Sequence, residues 1–401
     1  MSEMNETLRP VPRWLHVWAV LVVATTFLML AVGQLVTSFR AGMADPIWPT
    51  EPWYLASNFK LDLGYLIEHS HRILGFALGL LISGLAIGVL LGERCATTKW
   101  ISVIGLLVLL GGYGEFHRGL IAQRDVPAAD VRLPLPGAAT ALIGLAVALG
   151  ATGYSLISRS RGAGIRVLAV VALVAVMIQG LLGGFRVKLN ELVGTDLATV
   201  HGVFAQVVFG LLVSLAVVTA RSVSATTAPR KVRNGAVVLA VLLFVQIVWG
   251  AMVRHEPTIL TQKLHFLTAF AATGVAVWVM MGVYSNPAAK GRVRIAGHLI
   301  GGLLLIQLYL GVEAWMEKFG AYTLPELVPI TKENAAIRTL HALVGSGLLA
   351  TAIGLAVRVR QAAQKRIVEE PRDAEARSES QVLRSVSPSH LVAAKQPGET
   401  S

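Results

Sequence analysis

Charged side chains are scarce in this sequence. Only 14% of its 401 residues are Asp, Glu, Lys or Arg, whereas 54% are hydrophobic. A soluble protein of this length cannot bury so much apolar surface, so the composition predicts an all-α integral membrane protein. Cysteine is scarcer still: Cys95 is the only one, which excludes a disulfide within the chain. A lone cysteine without a partner motif is best read as a passive small residue.

Ten apolar segments are long enough, or nearly so, to cross a bilayer, since about 20 apolar residues span its hydrocarbon core. The third segment is the weakest, because Glu115, His117 and Arg118 interrupt it. Backbone groups in lipid must pair within the protein, and the segments are too long for barrel strands, so we expect a helical bundle. The segments cover residues 15–37, 67–92, 99–121, 137–157, 165–187, 200–220, 234–253, 264–284, 294–315 and 338–359.

Lysine and arginine concentrate in alternate loops, near residues 94–99, 159–166, 221–233 and 290–294. This positive-inside pattern predicts a multi-pass protein of a bacterial-type cytoplasmic (inner) membrane, with both termini in the cytoplasm. It also accounts for the net charge of +12, so we expect a lipid bilayer around the protein and no nucleic-acid partner.

The two ends of the chain are polar. Residues 1–14 precede the first apolar segment and would form a cytoplasmic N-terminus. Residues 361–401 are rich in Ser, Glu, Arg and Pro. Because this stretch has no apolar periodicity, it predicts a disordered cytoplasmic tail.

Four histidines occupy equivalent positions near the start of apolar segments: His71, His201, His265 and His341. Each has Gly or Ala four residues later, on the same face of a helix, which leaves room for a flat, bulky group. One intramembrane histidine would as readily hydrogen-bond a neighbouring helix, but four at one depth indicate ligands. Histidines from two facing helices can ligate a haem iron, whereas zinc favours a closer tetrahedral group, usually with acids or thiols.

The histidines belong to a repeat of helical hairpins. His201 and His265 are 64 residues apart, and His71 and His201 are 130 apart, about twice that spacing. A hairpin at 99–157 would be the member that has no histidine at the equivalent position, since Gly137 opens its second helix. A Gln-x-x-x-Gly pair also recurs on the preceding helices, which we interpret as an interhelical hydrogen bond beside a close helix contact. These pairs are Gln179 with Gly183, Gln246 with Gly250 and Gln307 with Gly311.

Charged residues near the histidines have two interpretations each. Glu68 lies three residues before His71, where a carboxylate beside a haem iron could act as acid or base. It could equally be a solvated acid at a helix N-terminus, favoured by the helix dipole. Arg72, Arg186 and Arg254 could pair with haem propionates or extend to lipid headgroups.

Taken together, these motifs resemble the haem A synthase family. The resemblance covers about residues 15–359, and no single motif would carry it. The matching stretches are Leu35-Val36-Thr37-Ser38 with the loop 42–50, Glu68-His69-Ser70-His71-Arg72, residues 179–187, His201-Gly202, and the hairpins of His265 and His341.

The resemblance implies a fold of two related four-helix bundles. Residues 15–220 would form an N-terminal substrate-haem bundle, and residues 234–359 a C-terminal haem b bundle. The family usually has eight helices, so 99–157 would be an extra hairpin. Some bacterial members carry a pair of cysteines in an outer loop, which this chain lacks, so a thiol-based role in electron delivery is excluded.

The resemblance also implies an activity. His71 and His201 would bind the substrate haem O, His265 and His341 would ligate the iron of the cofactor haem b, and Glu68 would be the catalytic acid. A methyl group of haem O would be oxidised to a formyl group by two hydroxylations and loss of water, giving haem A for cytochrome oxidase biogenesis. Haem O synthase, a farnesyltransferase, and a membrane electron donor would be partners.

Two other functions use the same four histidines. One is a diheme b-type electron-transfer cytochrome without substrate chemistry. The other is an assembly factor that holds haem without oxidising it. Glu68 beside His71 favours the enzyme, because an electron carrier needs no acid at the haem.

Overall fold

The computed structural model describes residues 11–45, 47–57, 62–193, 196–220, 228–287, 289–320 and 330–385. Within these ranges, ten helices are long and apolar enough to cross a membrane. This confirms the prediction of a multi-pass, all-helical membrane protein. The helices are α1 Arg13–Ser38, α2 Leu63–Leu90, α3 Ala96–Ile121, α4 Leu135–Ile157, α5 Ala163–Lys188, α6 Asp196–Thr219, α7 Arg230–His255, α8 Ile259–Tyr284, α9 Arg292–Phe319 and α10 Lys332–Ser385.

The helices begin before their apolar segments, because capping residues and polar first turns extend them. Helix α2 begins at Leu63, where the predicted segment began at 67, and Asp62 caps it by accepting a hydrogen bond from the Tyr65 N–H at 3.1 Å. Thr258 and Thr261 form a reciprocal capping box at the start of α8. A capping side chain satisfies a backbone N–H that the helix leaves unpaired, and hydropathy does not detect it.

The prediction of disorder from residue 361 is wrong as far as Ser385, where α10 ends. Residues 361–385 are rich in Ala, Glu, Arg and Gln, which have high helix propensity. Low hydropathy therefore excludes this stretch from lipid but not from a helix. Residues 386–401, the rest of the predicted tail, lie outside the described residues.

Eight of the helices pack in two rings of four. In the first ring, α1 packs on α2, α2 on α5, α5 on α6, and α6 on α1. Helices α7, α8, α9 and α10 repeat this arrangement in the second ring. The rings meet where α10 contacts α1 and α6, and where α7 contacts α6. Each ring has its own apolar core, around Leu173 and Leu212 in the first and around Leu239 and Leu348 in the second.

Helices α3 and α4 form a separate hairpin, whose backbones touch through glycines. A Cβ built on Gly105 would lie 2.7 Å from the backbone N of Ala148, and the contacts at Gly112, Gly137 and Gly144 are closer still. Small residues at such spacing let helix backbones approach in a membrane. The hairpin packs on α5 and, less extensively, on α2. It therefore lies at the periphery of the first ring and not between the rings.

A buried ion pair fastens this hairpin at the end of the molecule opposite the histidines. Glu93, between α2 and α3, pairs with Arg166 of α5 at 2.6 Å. It also accepts hydrogen bonds from Ser155 Oγ at 2.7 Å and Ser160 Oγ at 2.8 Å. Burial acts to raise the pKa of Glu93, but the hydrogen bonds from the two serines and from backbone N–H groups prevail and lower this pKa to about 2. The carboxylate is therefore ionised where it joins α2, α4 and α5.

Candidate functional site

Each of the four histidines packs on a glycine of the preceding helix in its hairpin. A Cβ added to any of these glycines would lie 2.9–3.2 Å from the imidazole Cε1. Real Cβ contacts are seldom so short, so the facing glycine makes room for the ring, and the small residue four positions after the histidine is not the sole cause. The pairs are Gly33 with His71, Gly183 with His201, Gly250 with His265, and Gly311 with His341.

The glutamine four residues before the glycine contacts the same imidazole. This confirms that these glutamines hydrogen-bond between helices, and it identifies their partners as the histidines. Because an imidazole nitrogen either donates or accepts, the amide can hold the ring in one orientation. The distances from the glutamine Nε2 to the histidine Nε2 are 3.3 Å for Gln179 and His201, 3.3 Å for Gln246 and His265, and 3.4 Å for Gln307 and His341.

The first hairpin contains a fourth member of this repeat that sequence reasoning missed. Four residues before Gly33 stands Met29, and its methyl carbon would lie 3.4 Å from a Cβ on Gly75. Gln307 has the equivalent contact with Gly345, at 3.2 Å. We searched the sequence for a Gln-x-x-x-Gly pair and so did not recognise the member in which methionine replaces glutamine.

All four histidines line a single cavity of about 550 Å³. His265 and His341 lie on opposite walls of the second ring, with ring centroids 6.5 Å apart and ring planes at 71°. His71 and His201 of the first ring line the same cavity, from α2 and α6. The part of the chain that the structure describes has no group of three or more His, Cys, Asp or Glu that could hold a metal ion. A pair of imidazoles could instead bind a metal that brings its remaining ligands with it.

The cavity is basic. Arg186, Arg254, Lys318 and Arg338 line it, and among the described residues no aspartate or glutamate does. Such walls favour an anionic ligand, and guanidinium groups match carboxylates in particular. Lys318 and Arg338 were not predicted. The repeat spacing held the signal for Arg338, which lies three residues before its histidine, as Glu68 does before His71.

Arg254 connects the two rings. From the end of α7 it reaches α1, where Nη1 donates to Gln34 Oε1 at 2.5 Å and Nη2 donates to Ser38 Oγ at 2.6 Å. Ser38 Oγ also lies 2.9 Å from Thr339 Oγ1 of α10. Gln34 follows Gly33, so a cation of the second ring is held one residue from the glycine on which His71 packs.

Glu68 is buried, with an exposed fraction of 4%. Its Oε1 accepts a hydrogen bond from Arg72 Nη2 at 2.5 Å, and its Oε2 accepts one from the backbone N–H of Asp45 at 2.8 Å. The interpretation as a solvated acid is therefore wrong, because α2 begins earlier, at Leu63, and the outer loop covers the carboxylate. Glu68 does not line the cavity, but it interacts electrostatically with Arg186, which does.

Asp45 joins this cluster and was missed from the sequence. Its Oδ2 lies 2.9 Å from His69 Nε2 and accepts a hydrogen bond from the Tyr65 hydroxyl at 3.3 Å. Arg72 donates to the backbone oxygens of Asp45 at 2.6 Å and Ile47 at 2.8 Å. Arg72 therefore holds the outer loop against α2 and does not line the cavity, whereas Arg186 and Arg254 do. The sequence did hold a signal for Asp45, because it is an acidic residue in a loop of a chain with few charged residues.

The fold and the site define a multi-pass helical membrane protein with four histidines around one basic cavity. No protein-family model, curated protein or solved structure matches this chain. Its function must therefore be argued from the cavity and the residues around it.

Proposed function

We propose that this protein is a haem A synthase, an oxidoreductase that converts the methyl group of haem O into the formyl group of haem A. The observation that carries the proposal is the meeting of two histidine pairs in one basic cavity. Two haems, each ligated from both sides, account for both pairs, and Glu68 gives one pair an acid three residues before a ligand, where the other pair has Gln262 and Arg338.

The histidine pairs fit a bis-histidine haem. An iron at about 2 Å from each imidazole nitrogen, the usual metal–imidazole distance, places the ring centroids about 6 Å apart. The centroids of His265 and His341 are 6.5 Å apart. The Nδ1 atoms of His71, His265 and His341 are buried without a hydrogen bond of good geometry, and buried polar atoms normally have partners. The small glycine and alanine side chains beside the histidines also leave space for a planar ligand.

The basic walls fit the propionates of haem. Two haems carry four carboxylates, and Arg186, Arg254, Lys318 and Arg338 supply four cations around the cavity. Arginine binds carboxylates through two parallel hydrogen bonds. We infer that Arg186 and Arg254 contact propionates and that Arg72 acts indirectly, through the loop and Glu68.

The rings would have different ligands. The first ring, within residues 15–220, would bind haem O between His71 and His201, and the second, within 234–359, would hold haem b between His265 and His341. Bound haem supplies redox chemistry at its iron. The protein would bind and orient it, and Glu68 would hold or move a proton behind the cavity wall, next to the cavity-lining Arg186. Arg72 and the N–H of Asp45 keep this carboxylate in place.

The proposed setting is a bacterial-type cytoplasmic membrane, with both termini in the cytoplasm and the histidine end facing outwards. A haem O synthase would supply the substrate, and a membrane electron donor would supply or accept electrons. Exposed Cys95 lies at the opposite end from the histidines. A membrane-impermeant maleimide should therefore label Cys95 in inverted vesicles but not in intact cells, and the reverse result would overturn this orientation.

A diheme electron-transfer cytochrome is the second candidate. It is favoured by the close likeness of the four histidine–glycine contacts, which span 2.9–3.2 Å. An assembly factor that only holds haem would need the same cavity. Glu68 distinguishes the enzyme, because it is a buried acid three residues before one ligand, whereas Gln262 and Arg338 stand at the equivalent positions of the second ring.

Haem extraction and mass analysis test the proposal. The protein is co-expressed with a haem O synthase, purified, and compared with its Glu68→Ala variant. We expect haem b with haem O or haem A in the wild type, and haem b without haem A in the variant. Haem b alone in the wild type would leave the cytochrome as the better description, and a protein without haem would exclude all three functions.

A further inference from the structure

The loop between α1 and α2 is held from two sides. On one side, the backbone N–H of Asp45 donates to Glu68 Oε2 at 2.8 Å, and the Asp45 carboxylate lies 2.9 Å from His69 Nε2. On the other side, the loop from Trp48 to Glu51 contacts the extra hairpin α3–α4 and its surroundings. These contacts begin only three residues after Asp45, so the hairpin and the buried acid of α2 meet on one short segment.

Trp48 attaches the loop to α3 and α5 by aromatic packing. Its ring meets the imidazole of His117 on α3 edge-on, with ring centroids 6.2 Å apart and ring planes at 78°. It also lies 5.6 Å, between centroids, from Phe185 of α5, and it packs so closely on Gly184 that a Cβ there would overlap it. The ring of His117 lies beside the backbone of Thr50 as well. The loop is therefore packed between the extra hairpin and α5.

Arg124 adds an ion pair to this packing. It lies just after the end of α3, and its Nη2 donates to both carboxylate oxygens of Glu51 at 3.0 Å. The backbone beneath it is itself fixed, because Lys188 at the end of α5 donates to the backbone oxygens of Arg124 and Val126, both at 2.7 Å. The guanidinium therefore holds the loop from a point that is anchored on the first ring.

We infer that the extra hairpin positions Glu68: through His117 and Arg124 it holds the loop whose Asp45 N–H keeps this carboxylate in place. The inference rests on the proposed function, in which Glu68 is the acid of the first ring. His117 and Arg124 do not line the cavity, so they are positioning residues that act through the loop. A misplacement of about 1 Å by a remote change can lower a rate about a hundredfold, so contacts at the far side of the loop matter for turnover.

Charge reversal at Arg124 tests the inference. Arg124→Glu places two carboxylates together and should displace the loop. We expect the Asp45 amide to exchange its hydrogen about tenfold faster, since its bond to the charged Glu68 would open more often. The kcat of haem A formation should fall about tenfold with an unchanged KM for haem O, as for an interaction made only in the transition state. Deuterium exchange of the peptide containing Asp45 and assays with added haem O measure the two effects.

Two further variants make the test specific. The double variant Glu51→Arg/Arg124→Glu restores the ion pair with its charges exchanged, and it should return both amide exchange and kcat close to the wild-type values. Glu93→Gln is the matched control, because it weakens the attachment of the same hairpin at its opposite end. It should leave exchange at Asp45 and kcat within about twofold, as expected for a distant, independent site. Equal effects of Arg124→Glu and Glu93→Gln would overturn the inference, since both would then report general destabilisation.

Amide exchange separates failure of the inference from failure of the proposed function. If the wild type makes no haem A, the proposed function fails, and exchange at Asp45 still decides whether the hairpin holds the loop against Glu68. Unchanged exchange in Arg124→Glu overturns the inference, and so does faster exchange with an unchanged kcat. Should Arg124→Glu fail to fold, His117→Ala decides: it removes the contact with Trp48, and a wild-type exchange rate at Asp45 in that variant contradicts the inference.

Discussion

The two rings position their histidines alike and differ in what surrounds them. In both, each imidazole packs on a glycine of the preceding helix. Three residues before His71 the first ring has the acid Glu68, whereas three residues before His341 the second ring has the cation Arg338. A repeated scaffold can thus retain the geometry of its histidines while their neighbours diverge. This difference in charge is what led us to propose chemistry in the first ring and an anionic cofactor in the second.

The largest expected effect is that of replacing one of the histidines that we propose as haem ligands. We expect His341→Ala to remove the second-ring haem and leave the first-ring haem, and His71→Ala to do the reverse. The affinity should fall by more than about a hundredfold, beyond the roughly 10- to 100-fold effect of removing a partner that only orients a ligand. Haem content per chain, by pyridine haemochrome and mass analysis, measures this.

A matched control for the ligand variants is His298→Ala. His298 hydrogen-bonds Tyr284 at 2.8 Å, at the end of the molecule away from the cavity, and its loss should leave both haems bound. Simultaneous loss of both haems from either ligand variant would contradict two separate pairs.

Glu68→Gln should lower the turnover that we assign to the first ring. Glutamine keeps the side-chain shape but removes the charge paired with Arg72, so we expect turnover to fall about 10²- to 10³-fold, within the range for loss of an acid–base group. Haem content should stay unchanged. Arg338→Gln, at the equivalent position of the second ring, should instead weaken retention of haem b. Identical effects of the two variants on turnover and haem content would argue against different roles.

The contact between Arg254 and Gln34 can be used to test whether the two rings stabilise each other. A double-mutant cycle with Arg254→Ala and Gln34→Ala should give a coupling of about 1.5–3 kcal/mol, the range for a hydrogen bond to a charged group. The measurement is thermal unfolding followed by circular dichroism. Additive effects of the two changes would show that this contact does not couple the rings.

The smallest effect is expected at Glu93, which serves the first ring alone. Its pKa in the folded protein, about 2, lies below its ordinary value of 4.5. Its contribution to stability is therefore present above about pH 4.5 and is lost as the pH falls towards 2. Glu93→Gln should accelerate alkylation of Cys95, whose N–H donates to Glu93 at 3.2 Å.

An acceleration is expected because the charge of Glu93 acts to raise the pKa of the exposed Cys95 thiol, and glutamine removes that charge. Haem content in both rings should not change, since the hairpin joint lies at the opposite end from the histidines. An alkylation rate equal to that of the wild type would mean that Glu93 does not fasten this corner.

Periodicity and spacing predicted much of this structure and failed in identifiable places. The helices and the four histidines were found because apolar length and equal spacing are local properties. Asp45 was missed because its partner His69 lies 24 residues away in the chain, and only folding reveals that pairing. Gly33 was missed because its repeat has Met29 in place of glutamine. The helix at 361–385 was missed because low hydropathy was taken to mean disorder.

The glycine seam between α3 and α4 has a consequence for the direction of every later helix. Two helices that pack tightly on each other enter and leave the membrane on the same side, so the hairpin leaves the orientation of α5 to α10 unchanged. A single inserted helix would have reversed these six. His201 would then lie at the opposite membrane face from His71, and the pair could not form. The even number of spans in this hairpin is therefore what keeps all four histidines around one cavity.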